Sequence, residues 1–538
     1  MPSTRLTLIK NSQQNFRTAV LFNPRESDDK IAAILTLAKN KLRIRATRIF
    51  VEGGNEISSS DELANVLQND RKLFISGGED YIGLLKEHPS AEEAAFTPAP
   101  ATITNIAYES HVEPDAFAQL KQTAILKGMR YVFGMPDLHP VMPLRLLRKY
   151  VPHRCDIRHR RHDLPSIDRC VAANSMRNTF PSLCTCQFIY NRFHNTGDDI
   201  GCGMVLYSTR LSVSSFKPQR AAERLRGIEG PWDGPIKEVM ERAGVESTEF
   251  DATALGTIGN TIGTNILRPP FLHLMSPGGG NHFAELQQFT EILDPDEFVR
   301  ANLSADRVYL LVHSGSRRLG GSILAAHTAK HGHAGLEPSS PEGQSYLRKH
   351  DNACKWARLN REVIARRVME RLNAGDDVVE GGKGKKVEKV LDLWHNNMER
   401  KEWGSEGETK KQVWVHRKGA APSDRGLVMI PGSRGACSYL VMPVGDQKEN
   451  GYSLAHGAGR KWTRTFALSR QHRCTSQQMR TTSLGSVVIC EDEELLYEEQ
   501  PDAYKEITDI ITDLTANRRI AKVVAILSPL LTYKLRKK

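Results

Sequence analysis

Apolar positions fall in short runs separated by polar breaks through residues 1–85. Ala19-Val20-Leu21-Phe22 and the alternating stretch 44–51 read as strands. Ile31, Ile34, Leu35, Ala38 and Leu42 recur at helical spacing across 28–42. Gly53-Gly54-Asn55 and Gly77-Gly78 read as turns. The pattern predicts a small N-terminal α/β module over 1–85 with no visible chemistry. Pro89, Pro98 and Pro100 mark 86–100 as a linker.

The character changes at Ala101. A strand is predicted over 102–107 and a helix over 114–127, ahead of the apolar run that ends in Gly134-Met135-Pro136-Asp137-Leu138-His139-Pro140. Ala353, Trp356, Leu359, Val363, Ile364, Val368 and Leu372 lie on one face of a helix predicted over 353–373. Residues 375–388 are rich in Gly and Lys and read as a loop. A helix is predicted over 504–514 and a buried strand over 523–527, leading into Tyr533-Lys534. No internal repeat is visible.

A chain of 538 residues has room for two to four domains. Hydrophobic content of 39% and charged content of 25% fit a globular protein. No apolar run reaches the roughly 18 residues of a membrane span, and Met1-Pro2-Ser3-Thr4-Arg5 lacks the apolar core of a signal peptide. Nine irregularly spaced cysteines suit reduced thiols. The expected compartment is the cytoplasm, with the nucleus as the alternative.

The net charge of +11 invites a nucleic-acid partner, but its distribution changes that inference. Residues 141–196 hold ten Lys/Arg against three Asp/Glu, four of the nine cysteines and no glycine. Most of the excess charge therefore belongs to one atypical segment.

Candidate chemistry centres on Ser453-Leu454-Ala455-His456-Gly457-Ala458-Gly459-Arg460, with Arg464 one turn later. Neutral imidazole is a good nucleophile toward phosphorus. Glycines let backbone N–H groups approach phosphate, and arginines hold phosphate oxygens bidentately. Upstream, Asp199, Cys202, His282, His313 and His395 each sit beside glycine or a small amide. Imidazole with thiolate and carboxylate suits Zn, Mn or Fe better than Mg or Ca. Taken singly, Cys202 reads as a buried small hydrophobe, His282 and His395 as core histidines, Arg317 as a surface cation and 416–419 as a solvated charge run. The joint pattern argues for a metal site.

These segments resemble the RtcB family of 3′-phosphate RNA ligases. The matching pieces are 134–140, 199–203, 281–285, 313–320, 395–396, 416–420, 431–439, 456–460 and 533–534, in the family's order, within a ligase domain expected over 101–538. The resemblance implies an RtcB-type α/β catalytic domain with mixed sheets around a central dinuclear metal cleft. It implies that Cys202 bridges two Mn²⁺ ions. Asp199 and His313 would complete one shell, with His282 and His395 completing the other or sharing it. His456 would be the nucleophile guanylylated by GTP, oriented by Asp137. Asn281, Asn396, Pro431, Gly432 and Ser433 would hold the GMP phosphate and ribose, with Gly457, Ala458 and Gly459 in the same pocket. Glu285, Ser438 and Lys534 would read guanine, and Arg317, Lys418, Arg460 and Arg464 would bind RNA phosphates. The implied activity joins 2′,3′-cyclic phosphate or 3′-phosphate RNA ends to 5′-hydroxyl ends, in tRNA splicing or RNA repair, with an archease-type activator as a further partner and no membrane. Rival readings are a catalytically impaired RNA-binding scaffold and a related enzyme that caps other 3′-phosphate ends.

Two segments depart from the family pattern. Residues 141–196 stand where the family has a Gly-rich run, and 260–278 separate Gly259 from Gly279. Both interrupt motifs, whereas tolerated insertions fall at loop tips. They read as translated introns or gene-model errors, or else as genuine insertions. The first has no period long enough to build a core, so disorder is expected there.

Overall fold

The computed structural model describes residues 4–82, 101–139, 184–190, 199–246, 281–373, 387–403, 410–470 and 475–534, less short gaps at 14–15, 25–26, 28, 43, 68–70, 126–128, 229–231, 233 and 332–335. The expected linker 86–100, the segment 260–278 and nearly all of the 375–388 loop lie outside these residues, as does 141–196 apart from 184–190. The chain divides into two compact units, Met1–Thr97 and Pro98–Lys538.

In the first unit, β1 (Thr4–Lys10), β2 (Arg17–Phe22), β3 (Arg48–Phe50), β4 (Glu56–Ile57) and β5 (Arg71–Ser76) form a mixed sheet in the order β2-β1-β5-β3-β4. Helix Lys30–Leu42 packs Ile34 and Ala38 onto Leu6, Leu8, Leu73 and Ile75. Helix Ser60–Val66 is set by a capping box in which Ser59 and Glu62 satisfy each other's backbone N–H groups. The strand expected over 44–51 begins only at Arg48, because Ala46 N–H turns back onto the carbonyl of Ile44.

The second unit holds β6 (Thr102–Asn105), β7 (Met129–His139), β8 (Cys184–Tyr190), β9 (Gly203–Ser212), β10 (Phe283–Ile292), β11 (Arg307–Ser314), β12 (Glu388–Trp394), β13 (Asn396–Trp403), β14 (Lys411–Lys418), β15 (Ala420–Pro422), β16 (Val428–Pro431), β17 (Ser438–Pro443), β18 (Ser453–Ala455), β19 (Val487–Ile489) and β20 (Ala521–Tyr533). The larger sheet runs β12-β9-β11-β10-β20-β17-β16, with β19 also paired to β20. A five-stranded sheet runs β13-β14-β8-β7-β6, and β15 pairs with β18.

Strand periodicity explains the layering. Met204, Leu206, Tyr309 and Leu311 share a core with Phe133, Met135, Val413 and Val415 of the five-stranded sheet. Their alternates Val205, Tyr207, Leu310 and Val312 pack with Ile364, Ala365 and Val368 of the long helix. On the far side of the five-stranded sheet, Val132 and Leu138 pack with Leu120, Trp356 and Leu359. Residues 133, 135 and 137 have one parity, so β7 turns Asp137 toward the larger sheet.

Several elements differ in extent from the sequence reading. The helix expected over 353–373 is Pro341–Leu372, opened by Ser340, whose side chain accepts from Gly343 N–H, and closed by Asn373 in the left-handed region (φ 54°). The helix expected from 114 stops at Ala124. The one expected over 504–514 starts at Ile507 and is continued by a π-turn, Asp513–Asn517, because Lys505 N–H is held by the carbonyl of Gly459. The strand expected over 523–527 runs to Tyr533. Pro529 is carried at an irregularity in its pairing with β10, between Leu286 and Gln287.

The largest correction concerns 184–190, expected to be disordered within an atypical segment. These residues form β8, which pairs with β7 on one side and β14 on the other. Its place between two longer strands, rather than its own composition, makes it a strand. No helix among the described residues is long and apolar enough to cross a membrane.

An interior strand cannot lose a ladder N–H cheaply. Phe188 stands opposite Val132 on β7 and His416 on β14, so Phe188→Pro is expected to destabilise the second unit by about 1–3 kcal/mol, the cost of leaving a buried ladder acceptor without its donor. Urea unfolding checks this, and an unchanged midpoint would show that β8 is not part of the folded sheet.

Candidate metal and nucleophile site

Antiparallel neighbours bring alternate strand starts and ends to one edge of a sheet. Cys202 precedes β9, His282 precedes β10, His313 lies near the end of β11 and His395 follows β12. His313 stands opposite Phe283 and Met204, and Trp394 opposite Gly203. Four residues scattered over nearly two hundred positions therefore meet at one edge. His395 is the single residue between β12 of the larger sheet and β13 of the other, and its N–H donates to the carbonyl of Cys202 at 2.8 Å.

The donor atoms form two groups that share the thiol. Cys202 Sγ lies 3.3 Å from His313 Nε2, which lies 3.1 Å from His395 Nε2. Cys202 Sγ is also 3.3 Å from His282 Nε2, which lies 3.0 Å from Asp199 Oδ2. Within each group every donor atom lies within 4.8 Å of the others. Separations of this size are near the edge of a tetrahedron with bonds of about 2.1 Å, roughly 3.4 Å. The sequence reading put Asp199 with His313 in one shell and His282 with His395 in the other, or shared; the structure groups Asp199 with His282, and His313 with His395. Sequence spacing cannot show which strand ends are neighbours.

Electrostatics suit this donor set to a cation. Burial, then Arg317, pushes the His282 pKa down to about 4. Burial and the neighbouring imidazoles push His313 and His395 well below the usual histidine range. Neutral rings keep a lone pair for a metal. Burial works against charge on Asp199, yet His282 and Arg317 hold it well below the usual carboxylate range. Burial and Asp199 push the Cys202 thiol up, so a thiolate there calls for a nearby cation.

Surrounding groups aim these donors. Ser314 Oγ lies 3.3 Å from His282 Nδ1 and accepts from Asn360 Nδ2 at 3.1 Å. Arg317 Nε donates to the same Nδ1 at 2.9 Å, which places the ring proton on Nε2 beside Asp199, and the Arg317 backbone N–H donates to Asp199 Oδ1 at 2.7 Å. The buried Arg361 donates to Asp392 and to the carbonyls of Gly201 and Ser314. Gly315 has no space for a side chain: a Cβ would stand 2.2 Å from Asp199 Oδ1.

His456 follows β18. Its Nδ1 donates to Asp137 Oδ2 at 2.8 Å, and the same oxygen accepts the His456 backbone N–H at 3.3 Å. That fixes the tautomer with the lone pair on Nε2. The His456 ring is 4.5 Å from that of His395 and 6.3 Å from that of His313, centroid to centroid. Gly459 (φ +67°) lies so close to β7 that a Cβ would stand 2.3 Å from the carbonyl of Asp137. Lys505 Nζ donates to the carbonyls of Leu138 at 2.5 Å and Pro136 at 3.4 Å, clamping the backbone on both sides of Asp137.

The remaining candidates divide. Gln287 Nε2 donates to Glu285 Oε1 (2.7 Å) and Ser438 Oγ (2.8 Å), joining two of the expected guanine readers, and Thr532 holds the other Glu285 oxygen. Burial pushes the Glu285 carboxyl up. Lys534 Nζ donates to Glu499 at 3.0 Å. Pro431 accepts from Ala458 N–H at 3.1 Å, so the 431–433 and 457–459 loops lie together. Asn281 directly precedes His282. Asn396 ties the carbonyl of Asp199 to Gly419 N–H, a structural duty the sequence did not suggest. Lys418 ends β14, half-buried. Arg464 is one-third exposed, with Nε 3.9 Å from Glu499. Arg460 differs from its expected phosphate role: its guanidinium is turned inward onto Glu499, the carbonyls of Glu498 and Trp462, and Tyr504. Gln287, Asn360, Arg361, Glu499 and Lys505 were missed, since polar residues carry no signal of burial in sequence.

Comparison with known proteins gives a consistent result. The family model "tRNA-splicing ligase RtcB" matches residues 270–535. The chain is 37% identical over 424 residues to the "RNA-splicing ligase RtcB2" of Escherichia coli, covering 79% of this chain and 93% of that protein. It is 29% identical to the "tRNA-splicing ligase RtcB" of Methanococcus maripaludis, over 81% of this chain and 95% of that protein. An "RNA-splicing ligase RtcB" of Mycobacterium tuberculosis is 26% identical, over 62% and 88%.

Two donor groups sharing one thiol make a graded prediction. Cys202→Ala is expected to lose both bound divalent ions without unfolding, whereas Asp199→Asn and His395→Ala each lose one. Metal mass spectrometry on purified variants checks this; unchanged metal content in Cys202→Ala would leave Cys202 as a core residue only.

Proposed function

The chain belongs to the RtcB family of tRNA-splicing ligases, and from that premise we propose that it joins RNA ends through a guanylylated His456. The observation that carries the reading is the Asp137–His456 pair, which holds the proton on Nδ1 and leaves the lone pair on Nε2, in a ring whose centroid is 4.5 Å from that of His395.

In the proposed first step, the Nε2 lone pair attacks the α-phosphorus of GTP. The bond to the β-phosphate breaks and pyrophosphate leaves. Asp137 holds the proton on Nδ1 and stabilises the charge that the ring acquires. A 2′,3′-cyclic phosphate end is opened by water to a 3′-phosphate, whose oxygen then takes GMP from His456. A 5′-hydroxyl attacks that activated phosphate and GMP leaves, closing the RNA chain.

Two Mn²⁺ ions would be held by the Cys202–His313–His395 group and the Asp199–Cys202–His282 group, in a dinuclear cleft. Bound there, they would neutralise phosphate charge as Lewis acids. Glu285, Ser438 and Lys534 read the guanine; Asn281, Asn396, 431–433 and 457–459 hold its ribose and phosphate. Arg317, Lys418 and Arg464 meet RNA phosphates, while Arg460 fixes the loop after His456. The substrate is RNA with 2′,3′-cyclic phosphate or 3′-phosphate and 5′-hydroxyl ends, with an archease-type activator as a partner. Free thiols at Cys202, Cys354, Cys437 and Cys490 support a reducing compartment, the cytoplasm or the nucleus.

Incubation with labelled GTP and Mn²⁺ followed by denaturing electrophoresis tests the nucleophile. Wild-type chain should carry an acid-labile label, and His456→Ala should carry none. Asp137→Asn should slow labelling by about 100-fold or more, since the carboxylate that sets the imidazole tautomer is lost. Full labelling of His456→Ala would sink the assignment.

A further inference from the structure

Glu499 takes no part in these steps, yet two cations and a phenol hydroxyl bond to it directly. Its side chain is fully buried. It accepts from Lys534 Nζ at 3.0 Å, from Arg460 Nη1 at 2.9 Å and from the Tyr504 hydroxyl, with Arg464 Nε 3.9 Å away. Burial alone would push this carboxyl up; Lys534, Arg460 and Arg464 instead hold it well below the usual range. Burial pushes the Lys534 ammonium down, and the Glu499 carboxylate beside it opposes that.

Lys534 is fixed at both ends. Its backbone N–H donates to the carbonyl of Ile489 at 2.9 Å, and its ammonium is held by Glu499. The preceding Tyr533 stands opposite Ala284, next to Glu285, so β20 delivers Lys534 to the end of the sheet that carries Glu285. Guanine offers the O6 and N7 acceptors, whereas adenine offers an amino donor in place of O6. A cation fixed at that edge favours guanine and opposes adenine; a wandering one does neither well.

We propose that Glu499 is a positioning residue that sets base specificity, by holding Lys534 against the guanine edge and tying it to Arg460 of the nucleophile loop. This rests on the reading of Lys534 as a guanine contact.

The test is equilibrium displacement of a fluorescent GTP analogue from the full-length chain by GTP and by ATP, which needs no covalent step. Glu499→Gln keeps the shape and removes the charge. It is expected to lower the GTP-over-ATP preference roughly tenfold, the scale of one hydrogen bond to a charged group. Lys534→Ala should lower the preference at least as far, and adding Glu499→Gln to it should change nothing more, since contacting residues are non-additive. If Glu499→Gln fails to fold, Glu499→Asp keeps the charge one methylene short and should give an intermediate preference. An unchanged preference in the folded Glu499 variant, alongside its loss in Lys534→Ala, overturns the proposal and leaves Glu499 a structural residue. An unchanged preference in Lys534→Ala overturns the guanine reading itself, and the role of Glu499 with it.

Discussion

The buried guanidinium of Arg361 is the constraint on which the site depends. It donates to Asp392 and to two carbonyls, those of Gly201 and Ser314. These carbonyls belong to the turn that delivers Cys202 and to the strand end that delivers His313. One cation therefore sets the distance between two segments over a hundred residues apart, and the thiol–imidazole contact of 3.3 Å follows from it. Removing such a group would leave Asp392 with Arg358, which is partly exposed, and two buried acceptors short of a donor. Breaking a buried pair of this kind costs about 3–5 kcal/mol. Asn396 and Gly315 add to the same constraint: one ties Asp199 to Gly419, the other lets the backbone close onto the Asp199 carboxylate.

Around that frame, burial acts in two opposite ways. At the metal-donor edge it strips charge from His282, His313 and His395 and leaves lone pairs. At Glu499, charge persists in an equally buried place because Lys534 and Arg460 contact the carboxylate directly. The difference lies in partners, not depth: imidazoles crowd one another, whereas the carboxylate is ringed by cations. Asp137 uses a single oxygen for both the ring and the backbone of His456.

Much of this was legible in sequence where small residues flank a donor. Asp199, Cys202, His282, His313 and His395 stood out because glycines and amides beside them permit close approach. His456 was legible for the same reason, and Asp137 only through the resemblance of residues 134–140 to the family. Which donors pair was not legible, since it depends on β12, β9, β11 and β10 lying side by side. The first three turns of the long helix were passed over because their apolar positions are sparse, although Ser340-Pro341-Glu342 carries a helix-start signature. β8 was hidden by a basic, glycine-free context and by its seven-residue length. Arg361, Glu499 and Lys505 look like solvated charges until the fold buries them.

The position of β20 has a consequence for the order in which the molecule is made. β20 lies between β10 and β17 and comes after every strand it joins. A ribosome that has released residues up to His395 has already supplied β9 to β12 with Asp199, Cys202, His282, His313 and His395. The Glu285 end waits for β20 and Lys534. Until then the flanks of β10 and β17 lack their partner, and such open edges are sites of mispairing. The growing chain can therefore bring Cys202, His282, His313 and His395 to one edge before Lys534 reaches the Glu285 end, and its open edges close with that same strand.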